Sequence, residues 1–410
     1  MSKPFGPLPP EFASQTGELT IGDRAAPEWI AEHGSPLFVY DPSIVAARIA
    51  AFRGAFPAVD LHYAIKANPH PALLAAIAPL VDGLDVASAG ELQKALAVKA
   101  AKSISFAGPG KRDGELEAAI NAGATLNVES EGEADRAIGI GERLGITPRL
   151  AVRVNPDMEL KGSGMKMGGR PSPFGIDAER AAALVQAIVR RGADWRGFHI
   201  FAGSQALDSR ALIETQAATL MLAERLSEEA GHLPPLVNLG GGFGIPYFAG
   251  DTPVDVGAIG SALAEAIHAS SLTAAGTSYA IELGRWLVGE CGVYLSQIVD
   301  RKESRGETFL IVDGGLHHQL AASGNFGTVV RRNYPVAVAG RTGGSGSEEE
   351  VSVVGCLCTP LDRLADRVTL PRADVGDVIA IFLAGAYGAT ASPSAFLGHP
   401  APTEVVVQRS

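Results

Sequence analysis

The chain has little cysteine. Its 410 residues include three, Cys291, Cys356 and Cys358. An odd, small number of cysteines in a chain of this length excludes a disulfide framework and fits a reduced, cytoplasmic compartment. Cys356 and Cys358 are one residue apart, and no further cysteine or histidine lies nearby at the usual spacing of zinc ligands. The sequence therefore predicts no metal site.

The sequence also lacks long apolar runs and an excess of basic residues. No apolar segment is long enough to cross a bilayer, and the proline-rich start, 1–11, does not read as a secretory signal. The formal net charge is −11. A nucleic-acid partner requires a clustered basic face, which this balance disfavours. We expect a small-molecule substrate, no nucleic-acid partner and no membrane insertion.

From about residue 40, short β-branched apolar runs alternate with longer alanine-rich amphipathic runs such as 71–80, 90–98 and 177–190. This alternation is typical of repeated βα units. Eight runs predict strands, at 61–67, 83–88, 104–108, 125–130, 149–156, 195–203, 236–243 and 278–285. Eight successive units predict the α/β class and a (β/α)8 TIM barrel. An open doubly wound sheet is the alternative.

After residue 285 the pattern changes to β-branched runs with turn signals and no long helices between them. These runs lie at 292–299, 308–312, 351–354, 378–382 and 404–408 and predict a separate β domain. The segments 17–21 and 37–40 could add strands to it. We expect an N-terminal segment over 1–40 packing on the β domain, a barrel over 41–285 and a C-terminal β domain over 286–410.

Two loops are distinctive in composition. The segment 161–173 is basic and rich in glycine and follows the fifth predicted strand. It could be a lid, or could dock an acidic carrier protein through Lys161, Lys166 and Arg170, and a solvated surface loop is the alternative. The segment 340–350 is rich in glycine, serine and glutamate and predicts a hairpin loop.

Residues able to carry out chemistry fall at the ends of the predicted strands. The carboxyl ends of the strands in a barrel form one mouth. Lys66 closes the first run and suits Schiff-base chemistry, with an ordinary surface lysine as the alternative. The other strand ends carry Asp85, Ser88, Gly108, Glu129, Arg153, Asn155, His199, the Gly240 to Gly242 run, Glu282 and Arg285.

The run Gly240-Gly241-Gly242 lets backbone N–H groups approach a ligand closely, as phosphate binding requires. It has neither P-loop nor Rossmann spacing, and a plain tight turn is the alternative. Barrels often bind phosphate after the seventh and eighth strands, where Arg285 could contact the same anion.

A core role for His199 and a Glu282–Arg285 ion pair are the ordinary interpretations. Together with an imine-forming lysine, these residues indicate a pyridoxal 5′-phosphate site instead.

Seven separated motifs resemble a known family in their order along the chain. They are Tyr63-Ala64-Ile65-Lys66-Ala67-Asn68, Asp85-Val86-Ala87-Ser88-Ala89-Gly90-Glu91, His199-Ile200-Phe201-Ala202-Gly203-Ser204-Gln205, Gly240-Gly241-Gly242-Phe243, Glu282-Leu283-Gly284-Arg285, Cys358-Thr359-Pro360-Leu361-Asp362 and Gly385-Ala386-Tyr387-Gly388. Over about 34–407 the chain resembles the fold-type III pyridoxal-phosphate decarboxylases, whose barrel is alanine racemase-like. It resembles most the branch associated with exosortase A and exopolysaccharide gene clusters, which is itself similar to a decarboxylase of a glutamyl carrier protein.

The resemblance implies pyridoxal 5′-phosphate as the cofactor and amino-acid α-decarboxylation as the reaction. Lys66 would bind the cofactor aldehyde, His199 would stack on the ring and Glu282 would face the pyridine nitrogen. Further cofactor contacts would come from Asp85, Arg153, Ser204, Gly241, Gly242, Arg285 and Tyr387. Cys358 would reach the active site from the other subunit of a homodimer and protonate the product.

Thr359 departs from the best-known members of this family. Ornithine decarboxylases have an aspartate and diaminopimelate decarboxylases a glutamate directly after the cysteine, where it meets the distal group of the substrate. A threonine carries no countercharge, so a distal ammonium would be poorly matched. Thr359 and Asp362 are the candidate substrate-binding residues, and the substrate is expected to be an amino acid, free or carrier-bound.

Two other functions stay open. A racemase or epimerase of the same fold is one, and a catalytically silent pyridoxal-phosphate-binding relative is the other. Glu282 favours the decarboxylase, because alanine racemases place an arginine at the pyridine nitrogen. The silent relative would be expected to lack Lys66, Glu282 or Cys358, and all three are present.

Overall fold

A computed structural model describes residues 2–12, 17–157, 163–166, 171–324, 331–340 and 347–408, with the backbone alone at 163–166. The chain divides into two compact units. The barrel unit comprises Ala47–Gly244 and Pro253–Leu287. The β unit comprises Met1–Ala46, Ile245–Thr252 and Val288–Ser410.

Eight parallel strands form the centre of the barrel unit. They are Asp60–Ala64, Gly83–Val86, Ile104–Phe106, Thr125–Val128, Arg149–Asn155, Asp194–Ile200, Leu236–Gly241 and Ser278–Leu283. Each strand pairs with the next one, and the eighth pairs with the first, with Ala280 opposite Asp60. The sheet is therefore closed, and the predicted (β/α)8 barrel is confirmed. A two-residue strand, Ile176–Asp177, also pairs with the fifth barrel strand.

Helices precede, separate and follow these strands. They are Pro42–Ala55, Pro71–Ile77, Ala89–Leu96, Asp113–Ala122, Glu131–Leu144, Ala178–Arg190, Ser209–Ala230, Val256–Ala269, Ser271–Ala274 and Arg285–Val288. Local capping explains where two of them begin. The Ser88 hydroxyl accepts the N–H of Glu91 at 3.2 Å, and the Ser130 hydroxyl accepts the N–H of Glu133 at 3.1 Å. Each cap satisfies an N–H group that has no partner within its helix.

A mixed eight-stranded sheet forms the β unit. Its strands are Leu37–Tyr40, Gly292–Ser304, Glu307–Val312, Val336–Val338, Glu348–Val354, Arg363–Pro371, Val378–Ile381 and Thr403–Val406. The long strand Gly292–Ser304 pairs antiparallel with Leu37–Tyr40, with Glu307–Val312 and with Val378–Ile381. The N-terminal segment therefore contributes a strand to this sheet, as predicted. The helix Ala26–His33 precedes that strand.

The prediction that 17–21 adds a strand to the same sheet is wrong. Thr20–Ile21 pairs antiparallel with Arg24–Ala25 in a separate two-stranded sheet. Gly22, between the two short strands, has a φ of 62°. This left-handed backbone conformation is readily adopted by glycine and lets the chain reverse within a few residues.

Of the two loops that are distinctive in composition, 340–350 differs from the prediction, and 161–173 lies partly outside the described residues. The strands that flank 340–350 do not form the expected hairpin, because Val336–Val338 pairs with Val378–Ile381, whereas Glu348–Val354 pairs with Glu307–Val312 and Arg363–Pro371. Residues 341–346 are not described.

Part of the expected lid, Ser163–Lys166, forms a strand paired antiparallel with Gly203–Ala206. Residues 161–162 and 167–170 of the lid prediction, with Lys161 and Arg170, lie outside the described residues, as does the side chain of Lys166. Through the part of the chain that the structure describes, no helix has both the length and the apolar character needed to span a membrane.

Candidate active site

The carboxyl ends of the barrel strands carry the predicted site residues of the barrel unit. Lys66 lies in the short turn Ile65–Ala67 after the first strand, with an exposed side chain. Arg153 and His199 occupy paired positions on the fifth and sixth strands, and Gly241 and Glu282 are paired across the seventh and eighth. The strands are parallel, so all of these residues lie at one end of the barrel.

Glu282 and His199 form a buried pair in this mouth. Their exposed fractions are 8% and 3%, and His199 Nε2 lies 3.0 Å from a carboxylate oxygen of Glu282. The two groups are close enough for an ion pair without being aligned as a hydrogen bond, and neither ring nitrogen of His199 has a hydrogen-bond partner among the described residues. Nε2 of the imidazole faces Glu282, whereas Nδ1 has no such neighbour within hydrogen-bonding distance in the described part of the chain.

Electrostatics keep Glu282 ionised. Burial alone would raise its pKa, because a buried charge loses its hydration. His199 makes the largest opposing contribution, followed by Lys66 and Arg153, and together they lower the pKa of Glu282 from 4.5 to about 2. The mouth therefore contains a carboxylate that is negatively charged at neutral pH.

Arg153 is held in place by Glu129. The Arg153 guanidinium donates to Glu129 Oε1 at 3.0 Å, and both side chains are buried. The N–H groups of Gly108 and Gly175 donate to the two oxygens of the same carboxylate at 2.5 and 2.9 Å. The Arg153 guanidinium also lies 5.2 Å from the ring centroid of Phe174. The sequence marked Glu129 only as a strand-end residue, and the structure gives it the role of positioning Arg153.

A second acid–histidine pair lies in the barrel interior. Asp85 Oδ1 is 3.4 Å from His62 Nδ1, while Asp85 Oδ2 has no hydrogen-bond partner within the described ranges. Burial and the nearby Glu282 raise the pKa of Asp85. Burial lowers the pKa of His62, but Asp85 and Glu282 outweigh this effect and raise it overall. His62 was not among the predicted site residues, and its signal in the sequence was a histidine inside the apolar run 61–67. In the structure its strand pairs with the strand of Glu282.

In the glycine turn after the seventh strand, the backbone packs directly against the carbonyl groups of neighbouring strands. A Cβ on Gly241 would lie 1.9 Å from the carbonyl oxygen of Glu282, and one on Gly240 would lie 2.7 Å from that of Ile200. Gly240 and Gly242 have φ values of 69° and 88°. A side chain at these positions would clash with a carbonyl group or strain the backbone. Because glycine has no side chain, the backbone of the turn is left uncovered.

The segment that carries Ser204 lies beside this turn. The N–H of Ala206 donates to the carbonyl of Gly242 at 2.9 Å, and the N–H of Gly244 donates to the carbonyl of Ala206 at 2.8 Å. Arg285 begins the helix that follows the eighth strand. These segments carry a hydroxyl, a guanidinium and a bare backbone turn, which are groups that bind phosphate in proteins.

These features fit pyridoxal 5′-phosphate. Lys66 supplies a primary amine for its aldehyde, Glu282 an anion for its pyridine nitrogen and His199 a flat aromatic ring beside Glu282. The glycine turn supplies a cradle for its phosphate. The fold and the mouth together define a barrel enzyme of the pyridoxal-phosphate-dependent class.

The remaining predicted residues belong to the β unit. Cys358 is exposed and Thr359 is half-buried, in the turn between the strands Glu348–Val354 and Arg363–Pro371. Tyr387 has a φ of 54°, a left-handed conformation that is costly for a residue with a side chain and is often found at functional sites. The roles of Cys358, Thr359 and Tyr387 stay predictions.

Comparison with known proteins gives the family. The sequence profile described as "Pyridoxal-dependent decarboxylase, pyridoxal binding domain" matches residues 43–289. The chain is 36% identical to the L-glutamyl-[BtrI acyl-carrier protein] decarboxylase of Niallia circulans, over 91% of this chain and 88% of that protein. It is 31% identical to the diaminopimelate decarboxylase of Aquifex aeolicus, over 97% of this chain and 93% of that protein.

A solved structure agrees with this assignment. The crystal structure of the diaminopimelate decarboxylase of m. jannaschii in co-complex with L-lysine matches with a TM-score of 0.86 and 26% identity, over 96% of this chain and 92% of that one. The chain belongs to the pyridoxal-dependent decarboxylase family and is a carboxy-lyase that uses pyridoxal phosphate. The predicted family, reaction class and cofactor are confirmed, while the exosortase-associated branch stays a prediction.

Proposed function

We propose that this enzyme decarboxylates an amino-acyl group whose far end bears no ammonium and is joined to a carrier protein. The observation that carries the proposal is Thr359, a neutral residue directly after Cys358 whose hydroxyl accepts the N–H of Leu361 at 3.3 Å. A distal ammonium would gain no countercharge from this side chain. The relative from Niallia circulans, whose name describes a carrier-bound glutamyl substrate, supports the same substrate class.

Asp362, the other candidate substrate residue, is better suited to holding its own loop. It is 3% exposed, and its two oxygens accept the N–H groups of Leu316 at 2.6 Å and Leu357 at 2.9 Å. Both oxygens are therefore engaged by the backbone. We assign Asp362 to loop structure and leave Thr359 as the substrate-facing candidate.

Bound pyridoxal phosphate supplies the electron sink that makes loss of the α-carboxylate possible. Lys66 would hold the cofactor at its aldehyde carbon. Glu282, which remains negatively charged, would hold a proton on the pyridine nitrogen. His199 would pack against the cofactor ring, and its contact with Glu282 limits its rotation.

The other roles concern orientation. Gly241, Gly242, Ser204 and Arg285 would hold the phosphate and so fix the cofactor in the mouth. Arg153, positioned by Glu129, places a positive charge near the same site. Tyr387 is assigned to the phosphate by its motif alone.

We infer that Cys358 serves the active site of a second copy of the chain. Its side chain is exposed, as a group that must act on another subunit has to be. It delivers a proton to the carbon that has lost the carboxylate. This arrangement makes the homodimer the active form.

A substrate panel tests the proposal. Release of CO2 is measured with L-glutamyl thioester on a carrier protein, free L-glutamate, L-ornithine and diaminopimelate. The carrier-bound substrate should have a kcat/KM roughly 100-fold above those of ornithine and diaminopimelate. Equal turnover of free glutamate and its carrier thioester would remove the reason for carrier docking. A preference for the substrates with a distal ammonium would overturn the assignment of Thr359, and racemised substrate without CO2 would overturn the reaction.

A further inference from the structure

A histidine–cysteine cluster lies in the β unit. His317, Cys356 and His399 come from three segments distant in sequence, yet their ligand-capable atoms all lie within 4.8 Å of one another. Cys356 Sγ is 3.9 Å from His399 Nδ1, and the ring centroids of His317 and His399 are 5.2 Å apart. Two imidazoles and a thiol thus converge on one point.

His317 is the member of the cluster that points to a ligand. Its side chain is 0% exposed, and neither of its ring nitrogens has a hydrogen-bond partner in the described part of the chain. A buried polar group without a partner is unfavourable unless a bound species satisfies it. A metal ion at the centre of the cluster would coordinate one of the two nitrogens.

The neighbouring histidine has other partners. His318 Nδ1 lies 3.0 Å from the Tyr294 hydroxyl, and its Nε2 lies 2.9 Å from the carbonyl oxygen of Pro400. Both nitrogens are engaged, so His318 acts as a structural link. Its contact with Pro400 joins the residue next to His317 to the residue next to His399.

Asp362 links the other two segments of the cluster. Its two oxygens accept the N–H groups of Leu316 and Leu357, which directly precede His317 and directly follow Cys356. The backbone beside each of the three cluster residues is therefore tied to the backbone beside another. Such fixation of the surrounding residues is what a preformed metal site requires.

The chemistry and the spacing of the cluster select zinc. Nitrogen and sulfur ligands favour Zn²⁺ over Mg²⁺ and Ca²⁺, which prefer oxygen. Tetrahedral zinc has Zn–N distances of about 2.0 Å and Zn–S distances of about 2.3 Å, which separate its ligand atoms by roughly 3.3–3.6 Å. The separations in the cluster are wider, 3.9 Å between Cys356 Sγ and His399 Nδ1 and at most 4.8 Å overall, so binding would require the half-buried Cys356 and His399 side chains to move inward.

We propose that His317, Cys356 and His399 bind one Zn²⁺ per chain, with a fourth position left for water. The ion would fix the loop that carries Cys358, two residues beyond Cys356. This last consequence rests on the proposed function, whereas the metal site itself does not.

Metal content tests the site directly. The full-length holoenzyme is treated with a chelator and then loaded with Zn²⁺ or Co²⁺. We expect one zinc per chain by elemental analysis, and for cobalt the intense visible bands of a tetrahedral site with a thiolate charge-transfer band. The variants Cys356→Ser and His399→Ala should lose both signals. Cys358→Ser is the matched control, because it removes an exposed thiol two residues away and should keep the full zinc content.

Thermal unfolding gives a second readout. Zn²⁺ should raise the unfolding midpoint of the wild type and of Cys358→Ser, because a ligand that binds the folded state stabilises it. It should not raise that of Cys356→Ser. Zinc content in the wild type no higher than in Cys356→Ser, or equal loss in Cys358→Ser, would overturn the proposal. These measurements use no substrate, so their failure is distinct from failure of the proposed reaction.

Discussion

At the scale of single residues, Glu282 shows how its surroundings set the state of a side chain. In the sequence it precedes Arg285 by three residues, a spacing equally consistent with an ion pair. In the structure it is buried against His199, and its neighbours outweigh the cost of burial. The charge of this carboxylate is therefore a property of the barrel mouth.

The lowered pKa of Glu282 predicts a pH dependence of stability. Its folded-state pKa of about 2 is below its ordinary value of 4.5, so its interactions stabilise the fold fully above pH 4.5 and are lost as the pH falls through 2. We expect Glu282→Gln to flatten the dependence of the unfolding free energy on pH between 4.5 and 2, measured by urea unfolding. A slope equal to that of the wild type would contradict the ionised state.

Lys66→Ala should remove the covalent link to the cofactor. Without a primary amine at the strand end, the protein should lose the visible absorbance of the lysine–cofactor linkage, and kcat should fall at least about 1,000-fold. Lys94→Ala is the matched control, because Lys94 is exposed on the helix Ala89–Leu96 and is not assigned to the site. An absorbance band that survives Lys66→Ala would show that another lysine holds the cofactor.

Thr359→Glu should change substrate preference. A carboxylate at this position would supply the countercharge that Thr359 lacks, and kcat/KM for diaminopimelate or ornithine should rise about tenfold, measured by CO2 release. Thr359→Val, which adds no charge, should not produce this gain. A similar gain in both variants would mean that the charge of this residue does not select the substrate.

At the scale of elements, a buried ion pair supports the barrel mouth. Lys111 Nζ donates to Glu133 at 2.6 Å and to the carbonyls of Gly108 at 2.7 Å and Asn127 at 2.9 Å. Burial lowers the pKa of Lys111 and raises that of Glu133. The pair joins the loop after the third barrel strand to the helix Glu131–Leu144. Gly108 in turn donates to Glu129, so the pair supports the position of Arg153 indirectly.

Lys111→Met should destabilise the protein strongly. It leaves the Glu133 carboxylate buried without its partner, which costs about 3–5 kcal/mol of unfolding free energy. Adding Glu133→Leu should recover most of that loss, because no charge is then left buried. Urea unfolding measures both effects, with Arg112→Ala, an exposed neighbouring change, as the control. No recovery in the double variant would show that the hydrogen bonds to Gly108 and Asn127 dominate.

At the scale of the whole molecule, the proposed homodimer divides each active site between two chains. Lys66 would come from one subunit and Cys358 from the other. An isologous dimer of this kind has two equivalent sites, each needing one intact residue from each chain. Each site would then depend on Lys66 of one chain and Cys358 of the other, so loss of either residue would inactivate the site that it serves.

Mixing inactive variants tests this arrangement. Lys66→Ala and Cys358→Ala should each be nearly inactive, whereas their equimolar mixture after subunit exchange should regain about 25% of wild-type activity, because half of the dimers contain one intact site. CO2 release measures the recovery. Lys66→Ala mixed with the Lys66→Ala/Cys358→Ala double variant should stay inactive. No recovery in the first mixture, with exchange verified by mass, would indicate active sites built within one chain.

Prediction from the sequence succeeded best where the signal is local. The eight barrel strands were found within a few residues of their bounds, because alternating strand and helix periods are properties of neighbouring residues. It was weaker in the β unit. The strand Arg363–Pro371 was missed because charged residues interrupt its apolar pattern, although it pairs along its length with Glu348–Val354.

The sequence by itself determined the barrel, the β domain and the position of Lys66 and Glu282 at strand ends, since parallel strands present their carboxyl ends on one side. Only the tertiary structure decided which groups meet there. The pairing of His62 with Asp85 and the convergence of His317, Cys356 and His399 join residues far apart in the chain. Such contacts depend on how distant segments pack, and burial then sets their charge and partners, which no local pattern encodes.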